Sequence, residues 1–558
     1  MINQLLDYSA GPMGIYEILI FATVNTLLMF FASFKFVQTL QQSGYDGRGY
    51  LSWLKRRDNI YMLRLLVVSL LSILAFLSFN IAAMIFSDKE QVIYIGFLFY
   101  LLFFSFYTRK DRRTKSKVPL VKTNRVKRLL LTYVLIVFFV QLLVMMLVNL
   151  IAYTAAVDTH QLLFRLRYGV LCLSPLSLPF AVIAAYYVNE PFERYNKRSY
   201  VAKCKEALNA RPDLIRIGIT GSYGKTSVKE ILSTVLSQKY SVLATPYSFN
   251  TPMGVCKTVK NLKSSHQVFI AEMGARRTGE IRELAEIVKP DIAVLTGVVG
   301  QHIETFGSIA NIKNTKYELV ESLADDGYAV FSADNAVSVD LSEKCLKTHV
   351  LAGINEKHKE VYAEDISVSV SGTRFTLCVN GERVECSTVL IGTHNVSNIC
   401  MAAAVAARLG MTAAEIAAGI NRVKPIKHRL EVLGGNTGVT VIDDSFNANV
   451  KGTIAAMEVL DCFEGRKIII TPGLVELGDI EEHANYMFGV RMSSHVDIAI
   501  LVGKRRVGKI KDGLLSEGFP KENVYVVKDL AEGKRLLKDM VKDGDVIIFE
   551  NDLPDKFN

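Results

Sequence analysis

A loop bounded by two glycines and followed by a lysine and hydroxyl residues is the clearest chemical feature of the sequence. It follows an apolar segment, Arg216–Thr220, and precedes helical periodicity over Val228–Ser237. Its residues are Gly221, Ser222, Tyr223, Gly224, Lys225, Thr226 and Ser227. Glycines let backbone N–H groups face phosphate oxygens, and the helix N-terminus adds positive potential. The lysine can neutralise β- and γ-phosphates and the threonine hydroxyl can ligate Mg²⁺, so the pattern predicts a nucleotide phosphate site.

An acidic residue ends the next apolar segment. Gln267–Ala271 is followed by Glu272 and then by Gly274. Because the carboxyl ends of parallel strands meet at one edge of a sheet, a carboxylate placed there can bind Mg²⁺ beside a phosphate loop. A surface acid is the alternative for Glu272 taken alone. Its place after a buried strand favours the metal site.

Strands that alternate with helical stretches must position these groups. Ile292–Thr296 reads as a third strand beside the loop, and three more segments, Lys467–Ile470, Ile498–Val502 and Val546–Phe549, follow near the C-terminus. This alternation predicts an α/β fold. We expect a central phosphate-loop domain over residues 212–426 and a Rossmann-like domain over residues 427–558.

The shortened loop resembles the ATP loop of the Mur ligase family, which makes the peptide stem of the bacterial cell wall. Two residues separate Gly221 from Gly224, whereas the standard phosphate loop has four at this place. Further matches follow in the family's order over about residues 212–558. They are Glu272-Met-Gly274, Gly392-Thr-His394-Asn395-Val-Ser-Asn398, His428-Arg429-Leu-Glu431 and Asp443-Asp444-Ser-Phe-Asn447-Ala-Asn449. The last, with Gly279-Glu280-Ile281, is similar to the member that adds D-Ala-D-Ala.

The resemblance implies roles for groups around the phosphates. Lys225 and Arg429 would contact the phosphates of ATP, with Arg429 reaching across from the last domain. The metal ligands would be Thr226, Glu272 and His302, although a lone histidine is more often structural. Lys316 would carry a carbamate formed from CO₂, which turns a cation into an anion beside the metal. Lys313 is the rival for that role, and a solvated lysine is the alternative for both.

The resemblance also implies contacts with the rest of the substrates. Asn395 and Asn398 would lie at adenine, because amides donate and accept at once. A helix cap is the alternative role for both. Asp444 would contact the ribose. Four further residues are expected at the acceptor or the incoming amine, and they are Asn250, Thr251, Asn447 and Asn449. An ordinary turn is the alternative at Asn250 and Thr251.

Charge and hydropathy divide the chain near residue 200. Residues 1–200 contain 22 Lys/Arg and 10 Asp/Glu, whereas the remainder contains 43 and 45. The basic excess therefore belongs to the first part, which excludes a nucleic-acid-binding protein with a broad basic face. The eight cysteines are scattered without a CxxC pair, which argues against a disulfide framework or a zinc ribbon.

Five apolar segments within residues 1–190 approach the ~20 residues of a membrane span. They are Ile15–Phe34, Ile60–Phe86, Val92–Tyr107, Leu129–Ala156 and Val170–Val188, the last interrupted by Pro175 and Pro179. Basic residues concentrate in every second loop, at 35–59 and 108–128, and five spans place both of these loops on the cytoplasmic side, as the positive-inside rule expects. We expect a multi-pass protein of the bacterial cytoplasmic membrane that contacts lipids, with its N-terminus outside. Residues 191–211 would form a linker helix, and the catalytic domains would lie in the cytoplasm.

Three features depart from the family's pattern. Membrane segments stand where soluble Mur ligases hold the UDP end of their substrate, so the acceptor could be lipid-linked. Thr471–Val475 replaces the family's Gly-Asp-Met stretch before Glu476-Leu-Gly478. The chain ends Phe549-Glu-Asn-Asp-Leu-Pro-Asp-Lys-Phe-Asn558, where the D-Ala-D-Ala-adding member has a Lys-Gly-Ser segment, which leaves the added unit open.

The sequence predicts a membrane-anchored ligase that uses ATP and Mg²⁺. Phosphorylation of an acceptor carboxylate would give an acyl phosphate, and the amine of an amino acid or dipeptide, D-Ala-D-Ala by resemblance, would displace the phosphate. The acceptor would be a nucleotide- or lipid-linked cell-wall precursor. Two alternatives remain open: a Mur-like ligase of another polymer, such as poly-γ-glutamate, and an ATP-driven membrane transporter. The lack of an ionisable relay inside the apolar segments argues against transport.

Overall fold

The computed structural model describes residues 14–55, 59–85, 91–113, 119–154, 160–301, 303–354, 360–433, 438–446, 448–503 and 506–551. The chain divides into two compact units, one up to Asn196 and one over Lys197–Leu553. The first unit is helical. The second contains two β-sheets covered by helices.

Six helices make up the N-terminal part of the chain. They are α1 (Gly14–Gln42), α2 (Gly47–Leu54), α3 (Ile60–Ile85), α4 (Gln91–Arg113), α5 (Asn124–Thr154) and α6 (His160–Asn209). A helix satisfies all its backbone hydrogen bonds internally, which is what a segment needs in lipid. Polar side chains join helices inside the unit: the Asn25 amide donates to Ser174 Oγ at 2.8 Å, and the Tyr100 hydroxyl donates to Asn25.

Four segments in the described residues are long and apolar enough to cross a membrane. They are Ile18–Gln42, Ile60–Ala82, Asn124–Val148 and Tyr168–Asn209. They overlap four of the five predicted spans, with bounds that differ by up to 21 residues at the end of the last one. The remaining prediction, Val92–Tyr107, falls in α4, whose described apolar stretch, Leu98–Tyr107, is shorter than a span.

The prolines do not end the last apolar helix. Pro175, Pro179 and Pro191 all lie inside α6, so the expected break in the fifth segment is wrong. A transmembrane helix tolerates proline because neighbouring groups can satisfy the freed carbonyls. The segment predicted as a separate linker helix is therefore the last part of α6, which ends at Asn209.

A nine-stranded sheet forms the core of the central domain. Its strands are β1 (Ile215–Thr220), β2 (Val242–Ala244), β3 (Val268–Glu272), β4 (Ile292–Leu295), β5 (Tyr328–Ser332), β6 (Thr348–Gly353), β7 (Val361–Ser369), β8 (Gly372–Val379) and β9 (Glu382–Thr388). The order is β2-β3-β1-β4-β5-β6-β7-β8-β9, with parallel pairing through β7 and antiparallel pairing beyond it.

Helices pack against this sheet. They are α7 (Lys225–Leu236), α8 (Pro252–Val259), α9 (Glu280–Val288), α10 (Ile303–Phe306), α11 (Ile309–Glu321), α12 (Ala336–Ser342), α13 (Thr393–Arg408) and α14 (Ala413–Ile420). β1 and β3 are buried along almost their whole length, as expected for strands with helices on both faces. Ile217 and Ile219 pack in one core cluster, whereas Phe269 and Ala271 pack in another.

A six-stranded sheet forms the core of the last domain. Its strands are β10 (Glu431–Leu433), β11 (Thr440–Asp444), β12 (Lys467–Thr471), β13 (Ile498–Val502), β14 (Val524–Val527) and β15 (Val546–Glu550), in the order β10-β11-β15-β12-β13-β14. All pairs are parallel except β10 with β11. The helices are α15 (Val450–Asp461), α16 (Glu481–Met492), α17 (Val507–Ser516) and α18 (Leu530–Met540), with short 3₁₀ turns at Gly478–Ile480 and Lys521–Asn523.

Parallel strands bring the predicted site residues to the carboxyl edges of both sheets. In the central sheet the glycine loop leaves β1, and Glu272 ends the neighbouring strand β3. In the second sheet Asp444 ends β11 and Glu550 ends its neighbour β15. Ligands of open α/β sheets bind at such edges. The predicted fold class, an apolar helical region followed by two α/β domains, is confirmed.

Candidate active site

Two positions of the glycine loop have no space for a side chain. Gly221 has φ 152°, and a Cβ atom there would lie 2.0 Å from Thr296 Oγ1. Gly224 has φ 77°, and a Cβ atom there would lie 2.8 Å from Asn398 Oδ1. Both positions require glycine, because other residues would be strained and would collide with neighbours. The loop therefore exposes its N–H groups at the start of α7, which fits a nucleotide phosphate.

The Lys225 ammonium folds back onto the loop that precedes it. Its Nζ donates to Gly221 O at 2.7 Å and to Ser222 O at 3.3 Å. Burial lowers the pKa of Lys225 to about 8, Glu272 acts in the opposite direction, and Arg429 lowers the pKa further. A cation held by two neutral carbonyls is poised to exchange them for phosphate oxygens, which are stronger acceptors.

Other loop residues hold the loop against the strand beside it. The Ser222 N–H donates to Gly297 O at 2.6 Å, and its hydroxyl donates to Val299 O at 3.0 Å. The Tyr223 ring lies where a Cβ atom on Gly297 would stand, and burial raises the pKa of its hydroxyl. Ser227 is buried in the first turn of α7. These contacts are structural, since they fix the curvature that the phosphate cradle needs.

Glu272 is 1% exposed and is surrounded by donors. Its Oε2 accepts from Thr226 Oγ1 at 3.0 Å, and its Oε1 accepts from Asn250 Nδ2 at 3.0 Å. The carboxylate and the hydroxyl predicted to bind Mg²⁺ are thus in contact at the mouth of the loop. Oxygen donors of this kind fit Mg²⁺, which is bound in nucleotide sites by one or two protein oxygens together with phosphates and waters.

Lys229 belongs to this cluster, and the sequence reasoning missed it. It is 0% exposed, and its Nζ lies 3.4 Å from Glu272 Oε2 and 3.2 Å from Glu230 Oε1. It also donates to the Tyr247 carbonyl. A signal was present in the sequence: Lys229 follows Thr226 by three residues, so both share one face of α7. Lys229 neutralises the acid that Thr226 touches.

The structure distinguishes the two lysines considered for carbamylation. Lys316 is 3% exposed, whereas Lys313 is more exposed and its Nζ lies 3.5 Å from Asp340 Oδ2. Burial lowers the pKa of Lys316 to about 7; nearby Lys225 lowers it too, and Glu280 and Glu318 oppose the shift. A lysine with this pKa is partly neutral near pH 7, as reaction with CO₂ requires. His302 lies outside the described residues.

The start of α13 touches the glycine loop. Asn398 is buried with its amide oxygen next to Gly224, and Asn395 donates to Ile391 O at 3.0 Å, inside its own turn. Burial lowers the pKa of His394 to about 4, which keeps the ring neutral. Its Nδ1 is buried and has no hydrogen-bond partner within the described part of the chain. His394 is therefore a candidate contact of the nucleotide. Like Lys229, it was not named as a site residue from the sequence, although it lies in the quoted motif.

Arg429 stands at the tip of a strained turn of the last domain. Its neighbours His428 and Leu430 have φ 60° and 47°, and the turn is held by contacts between His428 Nδ1 and Asp443 Oδ2 at 2.7 Å. The Leu430 N–H donates to Asp444 Oδ1 at 3.2 Å. Positive φ in residues other than glycine is costly and is typical of functional turns. The turn thus fixes the backbone on both sides of Arg429.

The Arg429 side chain links the two domains electrostatically. Its guanidinium lies 4.6 Å from the centre of the Phe446 ring. Burial lowers its pKa, and the carboxyls of Asp444, Glu272 and Glu550 oppose that shift. The arginine also lowers the pKa of Lys225 in the central domain. Arg429 of the last domain therefore lies near enough to the phosphate loop to influence the charge of Lys225, and its contact with the γ-phosphate stays a prediction.

The residues expected at the other substrates have structural contacts of their own. Thr251 Oγ1 accepts from Gly254 N at 3.4 Å and caps α8. Asn449 Oδ1 accepts from Lys451 N and Gly452 N and caps α15. Asn250 is committed to Glu272, as described above, and Asn447 lies outside the described residues. Substrate contact by these four residues remains a prediction.

Comparison with known proteins gives the same picture over the second unit. A family model described as "Mur ligase middle domain" matches residues 219–406. A second, described as "Mur ligase, glutamate ligase domain", matches residues 428–550. The two matches cover the glycine loop, Glu272, Arg429 and Asp444.

Curated relatives carry the name UDP-N-acetylmuramoyl-tripeptide--D-alanyl-D-alanine ligase. The protein of Mycobacterium leprae is 30% identical over 382 residues, 63% of this chain and 73% of that protein. That of Bacillus subtilis is 29% identical over 337 residues, 60% of this chain and 72% of that protein. That of Escherichia coli is 32% identical over 295 residues, 52% of this chain and 64% of that protein. The chain thus spans about two thirds of the relatives it matches.

Solved structures share the fold. MurF from Acinetobacter baumannii superposes with a TM-score of 0.58 at 24% identity, over 64% of this chain and 77% of that one. MurF from Thermotoga maritima, solved with ADP, superposes with a TM-score of 0.57 at 24% identity, over 64% and 80%. At this identity the likeness shows the arrangement of the two α/β domains. The expectation drawn from the loop and its companion motifs is confirmed at the level of the family.

Proposed function

The chain belongs to the Mur ligase family, and from this we propose that it joins a carboxylate of a cell-wall precursor to an amine at the expense of ATP. The precursor we favour is a UDP-N-acetylmuramoyl-tripeptide and the amine D-Ala-D-Ala, because these are the substrates in the names of its relatives. The observation that carries the proposal is the convergence of the glycine loop, Glu272 and Arg429 from two domains.

The chemistry follows from the charges at this point. An ionised carboxylate repels nucleophiles and has no good leaving group. In the proposed reaction its oxygen attacks the γ-phosphorus of ATP, ADP leaves, and an acyl phosphate forms. The amine then attacks the acyl carbon, phosphate leaves, and the ammonium proton passes to solvent. Both the ATP and the acceptor are anions, so cations must bring them together.

Two cations of this chain supply the positive charge that offsets the anions of ATP and of the acceptor. Lys225 lies on the loop that cradles the phosphates, and Arg429 approaches from the other domain with a fork that suits phosphate oxygens. Mg²⁺ bound at Thr226 and Glu272 would add charge neutralisation and alignment of the phosphates. Lys229 holds Glu272 in place for this role.

Lys316 is the carbamylation site we propose. Its burial and its lowered pKa support the choice over Lys313. The Lys316→Ala variant is expected to lose most ligase activity, and short carboxylic acids added to the assay should restore part of it by replacing the missing anion. Lys313→Ala is the matched control and should stay within twofold of the unaltered protein. Equal losses in the two variants would contradict the assignment.

The activity is tested with the purified full-length protein in detergent. ADP release should require both the UDP-linked tripeptide and D-Ala-D-Ala, and mass spectrometry should show the pentapeptide product. Single amino acids and L-glutamate replace the dipeptide in parallel reactions, which tests the polymer-ligase alternative. ATP turnover that needs a bilayer but no amine would instead support the transporter alternative, for which membership of a ligase family gives no support.

Anchoring in the membrane is a separate part of the proposal. Four helices of the described chain have the length and apolarity of spans. We propose that they cross the cytoplasmic membrane with the ligase domains in the cytoplasm. The protein should stay with membranes after an alkaline carbonate wash. Green fluorescent protein at the C-terminus should fluoresce, whereas alkaline phosphatase there should be inactive.

The number of spans decides the side of the N-terminus. With the C-terminus in the cytoplasm, four spans place the N-terminus inside and five place it outside. Alkaline phosphatase or green fluorescent protein fused to the N-terminus distinguishes the two counts. The concentration of ten basic residues in 108–128 supports a cytoplasmic position for that loop in both cases.

A further inference from the structure

Glu550 is a buried acid to which the proposed reaction assigns no role. It ends β15 and is in register with Asp444, which ends the neighbouring parallel strand β11. Register partners on adjacent strands direct their side chains to the same face of the sheet. Glu550 is 0% exposed, and neither carboxyl oxygen has a hydrogen-bond donor among the described residues. The group that faces it is the Asp444 carboxyl.

This pair has too little positive charge around it to be fully ionised. Arg429, from the turn before β10, is the cation that acts on both carboxyls. Glu272, from the central domain, also acts on Arg429, and Asp443 adds a negative charge next to Asp444. Two adjacent carboxylates in a dry site cannot both ionise near neutral pH, so such a pair holds a proton.

The surroundings decide which member holds the proton. Asp444 accepts the Leu430 N–H at 3.2 Å, and that hydrogen bond favours its charged form. Glu550 has no comparable donor among the described residues, and burial raises its pKa well above the usual range for glutamate. The Glu550 O–H can therefore donate to the Asp444 carboxylate.

We propose that Glu550 is a protonated positioning residue that leaves Asp444 as a single anion beside Arg429, so that Arg429 stays free to meet the γ-phosphate. This inference rests on the proposed use of ATP and deepens it. If Glu550 ionises, two carboxylates compete for the guanidinium and draw it toward the sheet edge. Preference for a nucleotide that carries a γ-phosphate then falls as the pH rises.

Glu550 lies in a segment where this chain departs from the family's pattern. The stretch Phe549-Glu550-Asn551 begins the C-terminal segment that stands in place of the Lys-Gly-Ser segment described above. Asn551, with φ 65°, donates to Gly473 O at 2.7 Å and so holds the Thr471–Val475 loop, which also differs. The two departures from the family's pattern thus meet beside the carboxyl pair.

The test compares two nucleotides, because ADP lacks the phosphate that Arg429 would contact. The affinities of full-length protein for AMP-PNP and for ADP are measured by calorimetry from pH 6.5 to 9 at constant free Mg²⁺. Both nucleotides carry phosphates that would contact Lys225. The effect of Lys225 titration on binding is therefore shared by the two affinities and cancels in their ratio. We expect the AMP-PNP preference of the unaltered protein to fall about tenfold over this range, which is roughly one pKa unit of coupling.

Three variants separate positioning from simple structure. Glu550→Gln keeps a donor without a charge, so its AMP-PNP preference should remain at the low-pH value throughout. Glu550→Ala removes the donor to Asp444, so the Asp444 carboxylate pairs more strongly with Arg429. Its preference for AMP-PNP over ADP should therefore be low at every pH. Glu517→Gln, at an exposed helix end, is the matched control and should follow the unaltered protein.

Each result decides between defined outcomes. A preference that does not change with pH in the unaltered protein overturns the proposal even if Glu550→Gln fails to fold. Equal slopes in Glu550→Gln and in the unaltered protein also overturn it and leave Glu550 a structural acid. If neither nucleotide binds the unaltered protein at any pH, the proposed function fails, and this inference fails with it.

Discussion

Two acids at the carboxyl edges of the two sheets have opposite surroundings. Glu272, at the end of β3, accepts from Thr226 and Asn250 and lies beside the buried Lys229. Glu550, at the end of β15, has no donor within the described residues and faces another carboxyl. Both are almost completely buried. Burial alone therefore does not set the charge of an acid; the groups around it do.

The difference fits the two tasks that the edges would perform. An acid binds a metal in its ionised form, and a buried lysine stabilises that charge in the central domain. An acid behind an arginine serves better when it is neutral, because a second anion would hold the arginine back. We infer that the edge of the central sheet keeps Glu272 ionised, whereas the edge of the second sheet keeps Glu550 protonated and so limits the negative charge beside Arg429.

Removal of the phosphate-side cation should have the largest effect. Lys225→Ala is expected to lower kcat/KM for ATP by at least ~10³-fold, since a preorganised cation at the transferred phosphate is lost. Secondary structure by circular dichroism should be unchanged. Lys538→Ala, at an exposed lysine of α18, is the control and should retain full activity. Normal ATP turnover by the Lys225→Ala variant would show that the site is elsewhere.

Loss of the buried ion pair should be the largest effect on stability. Lys229→Met leaves Glu272 without its cation and is expected to cost about 3 kcal/mol of unfolding free energy. The double variant Lys229→Met/Glu272→Gln removes both charges and should recover part of that loss. Urea unfolding of the three proteins measures this. A double variant less stable than Lys229→Met would mean that the two side chains are not coupled.

Glu550→Gln should increase stability relative to the unaltered protein, and the increase should grow as the pH rises. The raised pKa of Glu550 means that folding takes up a proton above the usual glutamate range, so this group's contribution to stability falls as the pH rises. The glutamine variant lacks that slope, which is up to ~1.4 kcal/mol per pH unit. Its thermal midpoint should therefore gain on the unaltered protein between pH 6 and pH 8. A constant difference across that range would show that Glu550 is ionised in the folded chain.

The smallest expected effect is an uptake of protons when nucleotide binds. Because burial holds the pKa of Lys225 at about 8, roughly half of these ammonium groups are deprotonated at pH 8. Phosphate favours the charged form, so binding of ADP should take up at most about half a proton from this group. Calorimetry in two buffers of different ionisation enthalpy measures the uptake. Lys225→Met should abolish it, and an unchanged uptake in that variant would assign the protons elsewhere.

Much of the fold could be predicted from local patterns. The strands expected at Ile498–Val502 and Lys467–Ile470 are present with the same start and with ends that differ by at most one residue. Buried parallel strands are short apolar runs, and a glycine loop between such a run and a helix is typical of a phosphate site. The proline break expected in the last apolar segment was wrong, because helix continuity there depends on neighbours that a local rule does not include.

The site was predictable where its residues belong to one motif. The loop, Glu272 and Arg429 could be found because their types and order match a family pattern. Lys229 and Glu550 were missed because each looks like an ordinary charged residue in its own segment. Their burial follows from packing against distant segments: Lys229 meets Glu272 of β3, and Glu550 meets Asp444 of β11.

The sequence by itself determined the glycine loop between a strand and a helix, the order of the α/β elements and the apolar character of the first helices. These follow from backbone and side-chain chemistry within short stretches. Only the tertiary structure decided which of Lys313 and Lys316 is buried, and which two acids stand side by side. Those facts depend on helix packing and on the register of neighbouring strands, which the free energy of the whole core selects.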